Sequence, residues 1–422
     1  MDPAVGISIR DVLLPDGRTA SVTVEGDRIA EIGRPREADV TIDGRGKALL
    51  PGFVNTHTHA AMTLFRGYAD DMDLQRWLST KIWPAEARLT PEAVYWGTKL
   101  ACLEMLRSGT TCFNDMYFHM DMAAKAVDEV GLRAVLSEGF IDLSDPARAE
   151  REFRQTRTVL AKIRGLRSPR VRPALGPHSV YTVSEPSLRE LRTMASSEHL
   201  PIHIHLSETR AEVDDVKKER GMPPASYLDS IGFLGPDVVA AHGCWLDDLE
   251  IRRLAQQGVA VAHCPVSNMK LATGRAMPLA AMRDAGLTLS LGTDGAASNN
   301  SLDMFETMKI TALLHKFAAS DARAAPARAV FEMATAGGAR ALGLEAGEVA
   351  VGKLADLVLI DLRRPGLTPT HDLVSNLVYA GRGDCVETVI CDGRVLMRDR
   401  VVRGEAEVLE HASAIAAKLA GA

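Results

Sequence analysis

No CxxC pair occurs anywhere in this 422-residue chain, and its six cysteines (Cys102, Cys112, Cys244, Cys264, Cys385 and Cys391) lie scattered, mostly inside apolar runs. That spacing argues against a thiolate metal site and favours buried free thiols in a reducing cytosol over disulfides. There is no basic run of the kind that tracks a phosphate backbone, and the formal net charge is -6. Nucleic acid and anionic membrane are therefore poor candidates for the main partner. No apolar stretch approaches the ~20 residues that span a bilayer. The opening "MDPAVGISIRDVLL" lacks the basic and then long apolar segments of a secretion signal. These absences predict a soluble, cytoplasmic protein. Repeats and low-complexity tracts are missing too.

What is present is an ordinary globular composition, 46% hydrophobic and 25% charged. The length suits one large domain with a smaller one. From about Leu49 to Asp294, eight short apolar runs alternate with helical patterns: "ALLPGFVNTHTH", "TTCFNDM", "LRAVLSEG", "VRPALGPH", "LPIHIHL", "DVVAAHG", "VAVAHCP" and "LTLSLGTD". Eight strand–helix units in series predict an α/β protein built on a (β/α)8 TIM barrel. A doubly wound open sheet is the rival, but no GxGxxG nucleotide turn follows any of these strands. Both chain ends instead alternate apolar and polar residues around "DG" and "GD" turns, as antiparallel strands do. Each end is too short to bury a face alone. They are expected to pair into one small β-sandwich domain (residues 1–50 and 346–422) beside a barrel over 51–345.

Six of the twelve histidines close strand candidates, and a barrel builds its active site at the C-terminal ends of its strands. His57 and His59 end the first, and residues two apart on a strand share a face and can share an ion. A strand-end HxH also fits a solvated or capping pair. His203 and His205 share a face on the fifth strand, and Glu208 follows three residues after His205. A carboxyl group there can lean back over an ion and move protons between a water and a substrate nitrogen. His242 ends the sixth strand. Asp294 ends the eighth, where capping of the next helix is the plain alternative. In combination these residues suit one borderline divalent cation, zinc above all, with iron or manganese also compatible.

The motifs "PGFVNTHTH", "HIHLSE", "TDGAASNNSLDMFETMK" and "GKLADLVLIDL" resemble the amidohydrolase superfamily over essentially the whole chain. "GYADDMDLQRWLSTKIWPAEARLTPE", "SGTTCFNDMY", "GPHSVYTVS" and "AHCPVSNMKL" look like its branch that deaminates 5′-methylthioadenosine and S-adenosylhomocysteine. That resemblance implies His57, His59, His205 and Asp294 as metal ligands. It implies His242 and Asp294 as the groups that orient and deprotonate a water, and Glu208 as the proton donor to the ring. Two-metal members need a lysine on the fourth strand, and "VRPALGPH" has none, which favours one metal.

For the substrate, the resemblance implies Glu86 at the ribose hydroxyls, Trp77 in the pocket wall, and His178 and Ser298 near the mouth. His203 and His263 are expected to make supporting hydrogen bonds rather than bind the ion. Where some relatives carry an arginine for the homocysteine carboxylate, this chain has Glu138, expected to repel such a group. Arg148 or Arg151 could supply the positive charge, and either could be a solvated helix residue. The resemblance also implies a homo-oligomer, dimer or tetramer, with a small nucleoside as partner. Two other readings stay open: an amidohydrolase acting on guanine, a pterin or an s-triazine, and a non-catalytic assembly protein on the same fold.

Overall fold

A computed structural model describes residues 6–72 and 74–421. All eight expected strands are present and form one parallel sheet in sequential order. They are β1 (Phe53–Thr58), β2 (Thr110–Tyr117), β3 (Arg133–Phe140), β4 (Val171–Pro177), β5 (Ile202–Leu206), β6 (Val238–His242), β7 (Ala260–His263) and β8 (Thr288–Leu291). Small and branched residues from six strands, Val54, Cys112, Val135, Ala174, Val239 and Ala260 among them, pack inside against Ala339, Leu342 and Leu354. The barrel is thus a filled core at its N-terminal end, and polar groups collect at the other.

The seam between β8 and β1 is stitched by specific groups. Thr56 donates to the carbonyl of Leu291 (2.9 Å), Asn55 donates to the Thr293 hydroxyl (2.7 Å), and the Asp294 N–H reaches the carbonyl of His57 (3.0 Å).

The run "ALLPGFV" does not form one strand. Lys47–Pro51 belongs to the second sheet, and the chain enters the barrel only after Gly52. A Cβ at Gly52 would lie 2.2 Å from the Thr111 hydroxyl, so only glycine lets the chain pass this closely between the two sheets. The second sheet has nine strands: five from the N-terminal segment and four from the C-terminal one. They join where Lys47–Pro51 runs antiparallel to Leu357–Asp361, with Leu50 opposite Val358. Alternation then sorts the side chains. Leu49, Leu357 and Leu359 pack with Ile7, Ile9 and Val22 in a small core of their own. Ala48, Leu50, Val358 and Ile360 join the main core. The two ends therefore make one continuous sheet around its own core.

Arg133, at the start of β3, pairs with Asp356 and Asp392 of that sheet, each at 2.9 Å and nearly buried. Two C-terminal helices, Leu373–Tyr379 and Glu405–Ala420, leave the sheet and pack on the barrel helices Met304–Ala319 and Pro91–Ser108. Among the described residues no helix is long and apolar enough to cross a membrane.

Candidate active site

The mouth of the barrel gathers His57, His59, His205, His242 and Asp294, whose ligand-type atoms converge in two overlapping groups. Each histidine is oriented through its Nδ1. His59 Nδ1 donates to the carbonyl of Met116 (2.5 Å), His205 Nδ1 to that of His178 (2.8 Å), and His242 Nδ1 to the Asn268 amide oxygen (2.9 Å). His57 Nδ1 pairs with His203 Nε2 at 2.8 Å. This is the outer-shell pattern that fixes the tautomer and leaves Nε2 for an ion.

Those Nε2 atoms crowd together. His205 and His59 stand 3.3 Å apart, and Asp294 Oδ1 lies 3.3 Å from His57 and 3.2 Å from His59. His57 Nε2 is buried with no hydrogen-bond partner. Ring nitrogens and a carboxylate oxygen brought this close can share one cation. The donor set therefore fits a divalent ion with nitrogen and oxygen preference.

Burial keeps most of these imidazoles neutral. It lowers His57 to about 4 and His178 to about 3, and pushes His203 and His205 well below the ordinary value. For His59 burial also opposes the charge, but the hydrogen bond and charge of Asp294 prevail and raise it to about 9. A cation at the same point competes for that carboxylate. The other Asp294 oxygen, Oδ2, is filled by the hydroxyls of Ser267 (2.6 Å) and Ser298 (3.0 Å), and Oδ1 also takes the Gly295 N–H (2.8 Å).

Three exits from the strands are strained. Ser207, His242 and Asp294 are non-glycine residues with φ of 49°, 74° and 61°, a conformation that costs about 1–3 kcal/mol each and gathers at functional sites. On β6, Val238 and Ala240 face the helices. Strict alternation would send His242 after them. The left-handed turn instead stacks its ring on that of His205, with centroids 5.5 Å apart. Its Nε2 then lies 3.8 Å from Glu208 Oε2. Burial raises the Glu208 pKa against the opposing pull of His242, which favours the protonated acid.

The residues expected to meet a substrate divide. Glu86 accepts the Tyr117 hydroxyl at 2.7 Å, and burial lifts its pKa to about 7 although that hydrogen bond works the other way. His178 packs its ring 4.7 Å from His205 and turns Nδ1 to the hydroxyls of Ser179 (3.2 Å) and Thr182 (3.0 Å). Trp77 is buried in the main core, and its indole N–H donates to Ala69 (2.9 Å). Ser298 is buried and spends its hydroxyl on Asp294 and the Gly295 carbonyl.

Arg148 and Arg151 sit in the opening turns of the helix Pro146–Gly165 after β3, with Arg148 Nε 3.6 Å from Glu152 and Arg151 exposed. No hydrogen bond or ion pair links either one to the histidine cluster among the described residues. Glu138 is buried, and its carboxylate accepts the N–H groups of His119 (3.2 Å) and Met120 (2.9 Å) and the Gln155 amide (3.3 Å). It anchors the start of the helix Met120–Val130. His263 turns away from the cluster to pair with His315 at 3.0 Å.

Tyr117, Ser267 and Asn268 were not among the expected residues, although each stands in a motif that carries the resemblance, "SGTTCFNDMY" or "AHCPVSNMKL".

Residues 48–396 match the amidohydrolase family. A 5′-deoxyadenosine deaminase from Methanothermobacter thermautotrophicus is 53% identical over 96% of each chain. A 5-methylthioadenosine/S-adenosylhomocysteine deaminase from Archaeoglobus fulgidus is 49% identical over 97% of this chain and 98% of its own. Among solved structures, a zinc-bound adenosine deaminase from Xanthomonas campestris superposes with a TM-score of 0.93 at 35% identity, covering 100% of this chain and 99% of its own. An atrazine chlorohydrolase from Arthrobacter aurescens, also with zinc, reaches 0.90 at 24% identity over 97% of this chain and 100% of its own, a likeness of fold. With its histidine cluster at the C-terminal mouth of an eight-stranded barrel and a matching stretch that runs through most of its length, the chain belongs to the amidohydrolase family.

Proposed function

We propose that the protein is a zinc-dependent hydrolase that removes the 6-amino group of adenine nucleosides, adding water and releasing ammonia and the inosine analogue. The observation that carries this reading is the convergence of His57, His59 and His205, and of His57, His242 and Asp294, in two overlapping groups, with Glu208 3.8 Å from His242 and favoured by burial as the acid. Three imidazoles and one carboxylate suit zinc and leave a position for water. Relatives of about half identity along nearly the full chain are named for adenine nucleosides, which supports this substrate class over guanine, a pterin or an s-triazine.

His57, His59, His205 and Asp294 would hold a divalent cation, which would bring the pKa of a water toward ~7. The protein's own groups do the rest. Asp294 and His242 orient that water and accept its proton. Attack at C6 drives electron density onto the neighbouring N1, and Glu208 donates its proton there, then helps carry a proton to the departing amine. His178, with Nδ1 turned to two hydroxyls, offers Nε2 as a donor to the nucleoside. Glu86 gives one oxygen to Tyr117 and keeps the other for the ribose hydroxyls. With glutamate rather than arginine at position 138 and Arg148 beside Glu152, no paired cation awaits a 5′ carboxylate, so the preferred substrates carry an uncharged 5′ group, such as 5′-deoxyadenosine, 5′-methylthioadenosine or adenosine.

The test is ammonia release from these nucleosides, S-adenosylhomocysteine, guanine and an s-triazine. Turnover confined to guanine or the triazine overturns the proposal, and a clear preference for S-adenosylhomocysteine overturns the 5′ assignment. Glu208→Gln is expected to keep its metal and lose turnover. Leu313 and Phe317, 45% and 87% exposed on one helix, support a homo-oligomer in which a second copy covers them. Light scattering on the purified protein tests this.

A further inference from the structure

Glu208 has no hydrogen bond to its carboxyl group among the described residues, and His242 Nε2 is 3.8 Å from it. Nothing at the end of the side chain fixes it. Its aim must therefore come from the backbone that carries it.

That backbone is held by a second carboxylate. Glu212 is buried, 7% exposed, and its two oxygens divide between adjacent amides: Oε1 accepts the Ser207 N–H at 3.0 Å and Oε2 the Glu208 N–H at 2.7 Å. Across the turn, the Ser207 carbonyl accepts from Trp245 N (2.9 Å) and the Leu206 carbonyl from Gly243 N (2.9 Å). Ser207 between them is left-handed, with φ of 49°. An unfavoured conformation persists only where the surroundings over-determine it, and here the clamp on one side is Glu212. We propose that Glu212 is a positioning residue that sets the aim of the Glu208 acid, an assignment that rests on the proposed role of Glu208.

A comparison within the chain separates this from ordinary helix capping. Both Glu212 and Glu250 are third residues of helices whose N-caps are Thr209 and Asp247. Glu250 returns one oxygen to the Asp247 N–H (3.1 Å) in a reciprocal capping box and gives the other to the Ala225 N–H (2.9 Å), and neither donor belongs to a residue of the active site. Glu212 reaches past its own N-cap to the two residues before it, one of which is the acid. Two N–H donors also demand two acceptor oxygens. An amide offers only one, so glutamine cannot replace glutamate here.

The experiment compares Glu212→Gln, Glu250→Gln and Glu208→Gln with the parent, reading zinc content, thermal midpoint, kcat and KM for 5′-deoxyadenosine. Glu212→Gln is expected to bind zinc and keep KM within about threefold while kcat falls roughly 10- to 100-fold. Glu250→Gln is expected to lose a similar amount of thermal stability with kcat unchanged. If Glu212→Gln does not fold, Glu212→Asp, which keeps both oxygens on a shorter arm, carries the same expectation of at least a tenfold fall in kcat. A kcat within twofold of the parent, or a fall matched by lost zinc, overturns the proposal. If the parent itself releases no ammonia, or Glu208→Gln turns over normally, the reading of the active site fails instead.

Discussion

The N–H of Asp294 donates to the carbonyl of His57 at 3.0 Å, so one of the bonds across the seam between β8 and β1 also sets two candidate ligands side by side. Gly292 lies in the same seam. A Cβ there would stand 2.7 Å from His57 Cβ and 2.9 Å from its carbonyl oxygen. Both contacts are too short to keep, and the backbone oxygen cannot rotate away. Gly292→Ala is therefore expected to push β1 outward and loosen the ion. Metal analysis after dialysis against a weak chelator should show at least tenfold weaker retention than in the parent. Equal retention would mean that the seam yields elsewhere.

His242 depends on Asn268, whose amide oxygen takes its Nδ1 proton at 2.9 Å. Asn268→Ala leaves the ring without the partner that fixes its tautomer. Loss of such a partner costs about 10–100-fold in activity or metal affinity. Because His242 is placed at the water and not in the proposed ligand set, the fall should appear in kcat, with zinc content unchanged. Stopped-assay kinetics beside metal analysis separate the two, and a variant that keeps its kcat removes Asn268 from the catalytic account.

How far these features were legible depends on what each residue's chemistry requires. His57, His59, His205 and Asp294 stood out only in combination, since a strand-end histidine pair or aspartate alone also fits a solvated or capping role, and the structure places them in two overlapping groups with His242. The barrel was legible through eight repeats of one pattern. The division at Gly52 was not, because proline and glycine inside an apolar run do not say which sheet each side joins. The helix contact of Glu138 was not legible for a related reason. A strand-end carboxylate facing a ligand and one capping the next helix have the same sequence, and only the tertiary placement of His119 and Met120 decides between them. Ser267 and Asn268 lie on a short helix after β7, and no spacing ties them to Asp294 or His242.

Glu138 itself gives a stability prediction. Burial raises its pKa to about 7, against the hydrogen bonds from Met120, Gln155 and His119. The native protein therefore holds a proton there between pH ~4.5 and ~7 that the unfolded chain has released. Stability from this group is full below the unfolded value and is lost as pH rises through the folded one. The parent should lose on the order of 1–3 kcal/mol more than Glu138→Gln between pH 5 and pH 8. Urea unfolding of both proteins at the two pH values measures it, and parallel losses would show that Glu138 is not the source.

Tyr117 governs the charge of Glu86. Burial raises Glu86 to about 7, while the 2.7 Å hydrogen bond from Tyr117 stabilises the carboxylate and holds that rise in check. As the proposed acceptor of two ribose hydroxyls, Glu86 works best ionised, since a protonated carboxyl loses part of its accepting capacity. KM should therefore rise as pH falls below about 7, with kcat following a different profile. Tyr117→Phe removes the group that favours the charge and leaves the burial in place, so the Glu86 pKa moves further up. The rise in KM should then begin at higher pH, and at pH 7 the variant should bind several-fold more weakly than the parent. The comparison with a 2′,3′-dideoxy nucleoside is decisive, because without ribose hydroxyls the two proteins should share one KM profile. A shift that persists with that substrate would place Glu86 somewhere other than against the ribose.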